Sequence, residues 1–458
     1  MPHARAKYNL TEGGILNKML LVALPVIGTQ LMQMTYNLTD MFWLGRLSSD
    51  AVAASGIPGM YLWLSFAFIL IGRMGAEIGV SQSLGRGDEE AAKRFSGNSV
   101  FLAIILGLFF GLFLILFRYP LIGFFNVQEA EVAADARLYL GIVGIGVPFT
   151  SLTSAISGAF VGSGNSRTPF LISSMGLILN MILDPITIFA MGLGIFGAAA
   201  STALIQILVC ILMITAFKKD KNRPFIQHTI FVKPEKAAVR QILKWSVPIG
   251  VESFFFCGLT MIITRFQAEF GASALAAARV ASQIESLSWL VGGGFGAALT
   301  AYVGQNFGAG KWGRIHQGFR LSTVVMGTYG LLITFLMYFG GGFLCSIFLS
   351  DPDIVAIGAT NLRILSLCQL PMCMEAIASG SFKGIGKTLK PSVVSLTCNT
   401  LRVPLAYYLS RTSLGLNGIW IAATIGATVR GIWCFTWYMW FAYKQKKGSV
   451  VEPGNIPG

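Results

Sequence analysis

Long apolar blocks follow one another along this chain, separated by short polar stretches. A helix needs about 20 apolar residues to cross the hydrocarbon of a bilayer, so each block reads as a membrane-spanning helix. The pattern predicts spans at 16–43, 53–83, 95–117, 134–160, 169–191, 196–217, 239–268, 274–305, 317–344, 355–380, 391–410 and 417–442. Alternation with a period of two, the mark of a membrane barrel, is missing. The expected fold is an all-α polytopic membrane protein with twelve transmembrane helices. The polar start, Met1 to Gly14, does not read as a cleavable signal peptide.

Residues 218–238 form the one long polar connection in the middle, and they divide the spans six and six. A shift of 223 residues lays Leu24-Pro25 on Val247-Pro248 and Ala51-Val52-Ala53-Ala54 on Ala274-Leu275-Ala276-Ala277. The same shift lays Gln82 through Gly87 on Gln305 through Gly310. A shift of 222 pairs Phe160, Gly162, Gly164 and Pro169 with Phe382, Gly384, Gly386 and Pro391, and a shift of 221 pairs Gly194 and Gly197 with Gly415 and Gly418. So constant an offset implies duplication into two pseudo-symmetric six-helix bundles that share one membrane orientation. The expected domains are an amino-terminal lobe (1–217), a cytoplasmic linker (218–238), a carboxy-terminal lobe (239–443) and a cytoplasmic tail (444–458). Each half opens on a helix with an internal proline, Pro25 or Pro248, which frees the carbonyl of Leu21 or Lys244 and offers a bending point.

Of the 458 residues, 54% are hydrophobic and only 12% charged, about half the charged share of a water-soluble domain. The net charge of +14 invites a nucleic-acid reading, but its placement argues otherwise. With the amino terminus inside, twenty-one lysines and arginines fall on the inner side and three (Arg46, Arg118, Arg411) on the outer side. That asymmetry sets the topology, both termini cytoplasmic, and leaves nucleic acid no role. Seven cysteines stand singly in apolar segments, and the three histidines lie in the tail and loops. They read as buried apolar residues and as no metal centre, so no cofactor is expected.

Against this background a few polar residues inside the spans carry the chemistry. Asp40 ends the first span, with Tyr36 and Asn37 four and three residues earlier on the same helical face. A carboxylate at membrane depth is costly and normally faces a cavity. In the fifth span Asn180 and Asp184 stack four apart, and Pro185 frees the carbonyl of Met181 beside them. The sixth span offers Ser201 and Thr202 among alanines. Asp40, Asn180, Asp184 and Thr202 thus form the expected site for a proton or a small hard cation such as Na⁺. At the repeat shifts Asp40 maps to Ile263, Asn180 to Arg402 and Thr202 to Ala423, so the acids belong to the first lobe alone. The second lobe has its own ionisable residues, Glu252, Glu285, Arg363, Glu375 and Arg402, expected mainly as mutual salt bridges; Arg73 and Glu77 are spaced to pair in the second span. Gly386-Lys387-Thr388 imitates the end of a phosphate-binding loop, but Ser381 stands where that loop needs glycine. Neither ATP hydrolysis nor an intramembrane enzyme finds residues to support it.

Taken together, Asn37 through Gly45, Ala51 through Ala54, Gln82-x-x-Gly85-x-Gly87 with its copy, Gly162-x-Gly164, Asn180-x-x-x-Asp184-Pro185 and Arg402-x-Pro404-Leu405-Ala406 resemble the multidrug and toxic compound extrusion (MATE) transporters, in particular their DinF-like branch. The resemblance runs over about residues 10 to 443. It implies a V-shaped pair of bundles that alternates between outward- and inward-open forms in the inner membrane of a prokaryote. It further implies export of amphipathic, often cationic compounds in exchange for H⁺ or Na⁺. Asp40, Asn180, Asp184 and Thr202 match the amino-lobe site of that family, Pro25 the place where its first helix bends, and Tyr139 a side chain of its substrate cavity beside Tyr36 and Asn37. Glu252 resembles the seventh-helix acid of the NorM-like branch, while that branch's tenth-helix aspartate has only Glu375 as a nearby candidate. This favours an amino-lobe mechanism.

The expected function is proton-coupled drug export by a monomer, with amphipathic drugs or toxins and membrane lipids as its partners. The two acids titrate as a coupled pair, and protonation competes with a bound lipophilic cation. Three rivals make different expectations. A Na⁺-coupled antiporter runs without a pH gradient, a lipid-linked saccharide flippase needs a basic cavity, and a passive channel needs no counter-ion.

Overall fold

The computed structural model describes residues 8–125, 127, 129–220 and 232–447. Among them are fourteen α-helices, one five-residue π-helix and no strand. In chain order the helices are α1 (Ile15–Leu47), α2 (Ser49–Arg86), α3 (Glu89–Leu116), the short α4 (Arg118–Gly123), α5 (Ala130–Gly162), α6 (Arg167–Pro185) and α7 (Gly194–Lys219). The second half adds α8 (Lys236–Ala268), α9 (Ala272–Gly308), α10 (Trp312–Ser346), α11 (Pro352–Ser366), α12 (Gln369–Gly384), α13 (Leu389–Ser410) and α14 (Leu416–Lys446).

Every predicted span is helical, and most helices run a few residues past the apolar block at each end. The extra turns are polar and capped: Ser48 accepts from the Ala51 amide at 3.0 Å to start α2, and Asp88 accepts from the Ala91 amide at 2.8 Å to start α3. Two spans differ from expectation. The fifth ends in a π turn, Ile186–Ala190, directly after Pro185. The tenth is broken into α11 and α12, bent by 48°. Pro371 removes the amide that the Leu367 carbonyl would need. Side chains from other helices and from the break itself take up the carbonyls there: Thr424 that of Ile364 (3.1 Å), Gln369 that of Leu365 (3.0 Å) and Thr334 that of Ser366 (3.1 Å). Among the described residues ten helices are long and apolar enough to cross a membrane, or eleven with the bent pair counted as one. The eleventh expected span, α13, is long enough, but Lys390, Asn399 and Arg402 make it too polar to qualify.

The chain divides into two compact units. One comprises Leu21–Gly250 with the residues up to Glu12; the other comprises Gly13–Leu20 and Val251–Gly458. Two of the three boundaries therefore lie inside α1 and α8, close to Pro25 and Pro248, and each unit takes in the leading segment of the other half's first helix. In the first unit Ile242 meets Gly75, and Trp245 packs on Phe95 with ring centroids 5.4 Å apart. In the second, Met19 meets Gly318 and accepts from Ser322 at 3.2 Å.

The duplication is visible in the packing of each unit. In the first, Gly158 and Gly162 of α5 lie against the backbone carbonyls of Arg73 and Glu77 on α2, so close that a Cβ would collide. In the second, Gly380 and Gly384 of α12 lie in the same way against the carbonyls of Gly296 and Thr300 on α9. Small residues let membrane helices pack backbone to backbone. The turns that follow match as well: Gly164 and Gly386 adopt φ of 88° and 77°, a left-handed cap that favours glycine. All seven cysteines are free and buried. Arg73 and Glu77 stand 4.0 Å apart as an ion pair along α2.

Candidate functional site

The carbonyl of Leu21, freed by Pro25, accepts a hydrogen bond of 3.1 Å from the Ser166 hydroxyl just before α6. The bending point of α1 is thus tied to the helix that carries the second acid. Thr29 donates to the Pro25 carbonyl at 3.0 Å. From there a polar stripe climbs α1 through Thr29, Gln33 and Tyr36 to Asp40, at spacings of four, three and four that keep one face.

Asp184 is fully buried near the end of α6. Asn180, one turn before it and 2% exposed, donates to its Oδ2 at 3.5 Å, and the Ser201 hydroxyl of α7 donates to its Oδ1. The turn after Pro185 is held by Thr187, whose hydroxyl donates to the carbonyls of Leu183 and Asp184, both at 3.1 Å. Gly197 lets the start of α7 approach that turn; a Cβ there would stand 2.7 Å from the Thr187 carbonyl oxygen. That approach brings Ser201, four residues on, to Asp184.

Thr202 points elsewhere: its hydroxyl and that of Tyr36 are 3.2 Å apart. Asp40 is half-buried, with Oδ1 shielded from solvent and without a hydrogen-bond partner among the described residues. It lies within electrostatic reach of Asp184 and of the buried Tyr139. No ion pair engages either acid among the described residues. Asn37, placed by its spacing on the same face, is exposed and accepts from Gln33 at 3.1 Å, apart from the cluster. Of the expected residues, the structure gathers Tyr36, Asp40, Tyr139, Asn180, Asp184 and Thr202; it adds Ser201, which the sequence offers as an equal neighbour of Thr202.

The repeat-related place in the second unit is different. Ile263, Ala406, Ile419 and Ala422 form a buried apolar cluster where the first unit has its acids. The charges of the second unit gather elsewhere: Arg430 of α14 pairs with Glu375 of α12 at 2.7 Å and donates to Asn399 at 3.3 Å. Glu252 lies within electrostatic reach of that pair, and Glu285 accepts from Gln369 at 3.5 Å. Glu375 is therefore held by a guanidinium. Sequence reading missed Arg430, although a lone cation inside the last apolar span, opposite Val209 in the repeat, was the available signal.

The MatE family model matches the chain twice, over residues 25–186 and 248–408. The chain belongs to the MatE family. The two matches begin on Pro25 and Pro248, the same offset that relates the two units, and the family is one of transporters, not enzymes. Among curated relatives, a probable multidrug resistance protein NorM of Thermotoga maritima is 29% identical over 89% of this chain and 88% of its own length. A probable multidrug resistance protein YoeA of Bacillus subtilis is 26% identical, covering 95% and 96%. A crystal structure of a MATE protein in complex with MaD3S superposes with a TM-score of 0.89 at 21% identity, over 96% of this chain and 99% of that one. A MOP superfamily transporter from Pyrococcus furiosus gives 0.87 at 21% identity, over 96% and 98%. These superpositions establish the MATE fold of the chain.

Proposed function

We propose that this MatE-family transporter exports amphipathic, often cationic drugs or toxins from the cytoplasm in exchange for protons, as a monomer of the DinF-like type in a prokaryotic inner membrane. One observation carries the reading: Asp40 and Asp184, within electrostatic reach of each other, have no ion-pair partner among the described residues, while Ile263 and Ala406 stand at the corresponding places of the second unit. A scaffold duplicated for packing alone has no need of that difference. The multidrug resistance names of the relatives support the substrate class.

Deprotonated, the pair attracts a lipophilic cation into a low-dielectric surrounding where the attraction is strong. Protonation removes the attraction, so uptake of a proton and retention of the drug exclude each other. Pro25 lets α1 adjust between the two conditions, with Ser166 holding its freed carbonyl. A proton gradient of about 150 mV supplies roughly 3.5 kcal/mol per charge, enough for several-hundred-fold accumulation. The acidic site also argues against a saccharide flippase, which needs a basic cavity.

Proteoliposomes with an imposed pH gradient test this with ethidium as the probe. Wild-type protein exchanges ethidium for protons, and Asp40→Asn abolishes the exchange. Undiminished exchange by that variant removes Asp40 from the mechanism; ethidium efflux driven by sodium at zero pH gradient reassigns the coupling ion.

A further inference from the structure

Lysines gather at one end of the second unit, where the turn between α12 and α13 lies beside the close of α14. Lys390 places its Nζ 5.0 Å from the ring centroids of both Trp437 and Phe441, and 5.4 Å from that of Phe382. Lys387 places its own 4.2 Å from the same Phe441 ring, and Lys444 stands 4.0 Å from the Trp440 ring. A ring face attracts an ammonium group and fixes where it stands, but leaves its charge whole. Two ammonium groups thus share the Phe441 ring, and like charges so placed repel.

No carboxylate answers them. The chain carries neither aspartate nor glutamate from Ser286 to Ser350 or from Ala376 to Val451. Among the described residues Lys387, Lys390 and Lys444 have no ion-pair partner, whereas Arg94 meets Glu235 at 3.6 Å, Arg411 meets Glu269 at 2.9 Å and Arg430 meets Glu375 at 2.7 Å. The first half is built otherwise. At the shift of 223, Asp88 and Glu89 at the start of α3 become Lys311 and Trp312 at the start of α10. At the shift of 222, Asn165, whose Oδ1 accepts from the Thr168 amide at 3.3 Å at the start of α6, becomes Lys387. An oxygen acceptor at a helix start is thus replaced by a cation, beside the positive end of the α13 dipole. That arrangement is costly empty and favourable with an anion in it.

The surface beside the lysines selects the kind of anion. Trp433, Trp437, Trp440 and Lys444 follow one another at four, three and four residues, along one face of α14. Trp433 and Trp440 are 40% and 52% exposed, and the rings of Trp433 and Trp437 stack with centroids 6.4 Å apart. Exposed tryptophans that run into lysines match a molecule apolar along its length and negative at its end. Indole rings favour the depth where hydrocarbon gives way to headgroups. A free phosphate would engage the lysines and leave the ring stripe unused.

We propose that this end of the second unit is a binding site for an anionic phospholipid such as phosphatidylglycerol. Its phosphate is held by Lys387, Lys390 and Lys444, and an acyl chain lies along Trp433, Trp437 and Trp440. With the orientation read from the loop charges, the lipid belongs to the inner leaflet. The site uses none of the acids of the first unit and does not depend on which ion drives export.

Native mass spectrometry of the full-length protein in detergent, titrated with dioleoyl phosphatidylglycerol, tests this. Dioleoyl phosphatidylcholine, with the same chains and no net charge, is the control. One phosphatidylglycerol is expected to be retained at concentrations where phosphatidylcholine is not. Lys387→Gln with Lys390→Gln is expected to weaken that binding about thirtyfold, roughly fivefold for each lysine at an anionic lipid surface. Lys387→Arg with Lys390→Arg is expected to keep it. Lys446→Gln with Lys447→Gln removes as much charge from the exposed end of α14, and is expected to change it by less than about twofold because those charges are screened by solvent. Millimolar inorganic phosphate is expected not to displace the lipid. No retained phosphatidylglycerol, equal retention of the two lipids, or equal loss in the two glutamine pairs overturns the site and leaves a diffuse basic face. Displacement by phosphate overturns the lipid as its occupant and assigns the lysines to a free anion.

Discussion

Ser201 and Thr202 are neighbours on α7, about 100° apart around the helix, and they serve two different partners. Ser201 completes Asp184 and Thr202 meets Tyr36 at 3.2 Å. Removing a donor from a buried carboxyl costs about 1–3 kcal/mol. Ser201→Ala is therefore expected to lower the thermal unfolding midpoint in detergent and to alter the pH dependence of ethidium exchange. Thr202→Val, which leaves Asp184 untouched, is expected to change stability by less than about 1 kcal/mol. Equal effects on both readouts would mean that Ser201 does not act through Asp184. The acids themselves were legible because a carboxylate inside an apolar run has few innocent explanations. The choice between two adjacent hydroxyls was not, because it depends on the phase of α7, which Gly197 sets by its approach to the turn after Pro185. Arg430 escaped for a related reason: its partner Glu375 is 55 residues away, on a helix that no local pattern connects to α14.

At the level of elements, apolar blocks located the spans because the cost of exposing backbone to lipid leaves few alternatives to a helix. They did not locate the break between α11 and α12. Hydropathy passes smoothly through Ser366 to Gln369, and the groups that make the break tolerable, Thr334 and Thr424, come from other helices. The glycines of the repeat carry more information. Gly162 and Gly384 face backbone carbonyls of Glu77 and Thr300, whereas Gly56 on α2 has nothing within 4 Å of its prospective Cβ. Gly162→Val and Gly384→Val are both expected to force α5 from α2 and α12 from α9. The expected result is protein that fails to elute as a single peak in detergent size-exclusion chromatography. Gly56→Ala is expected to elute as wild type. Tolerance of valine at one glycine but not at its copy would show that the two units do not share this packing.

At the level of the molecule, the repeat does not divide the chain into two self-sufficient pieces. The apolar pattern suggests a cut through 218–238, part of which lies outside the described residues. The compact units, however, change over at Leu20/Leu21 and Gly250/Val251. The leading segment of α8 brings Ile242 (0% exposed) and Trp245 (3%) to the first unit, against Gly75 and Phe95. The leading segment of α1 brings Met19 (1% exposed) to the second, beneath Gly318 and Ser322. A half cut between Lys219 and Lys236 and expressed alone thus lacks a buried strip that only the other half supplies. Neither half is expected to yield a monodisperse species by itself. Co-expressed, with an affinity tag on one half alone, the two are expected to purify together and to restore ethidium exchange. A first half that is monodisperse and heat-stable alone would show that 236–250 is dispensable to its unit. Failure of the co-expressed halves to associate would make the covalent connection, and not the exchanged segments, what unites them. The exchange also gives the two prolines a common setting. Pro25 and Pro248 each stand within five residues of a changeover, so a bend at either alters the direction in which a helix leaves one unit for the other.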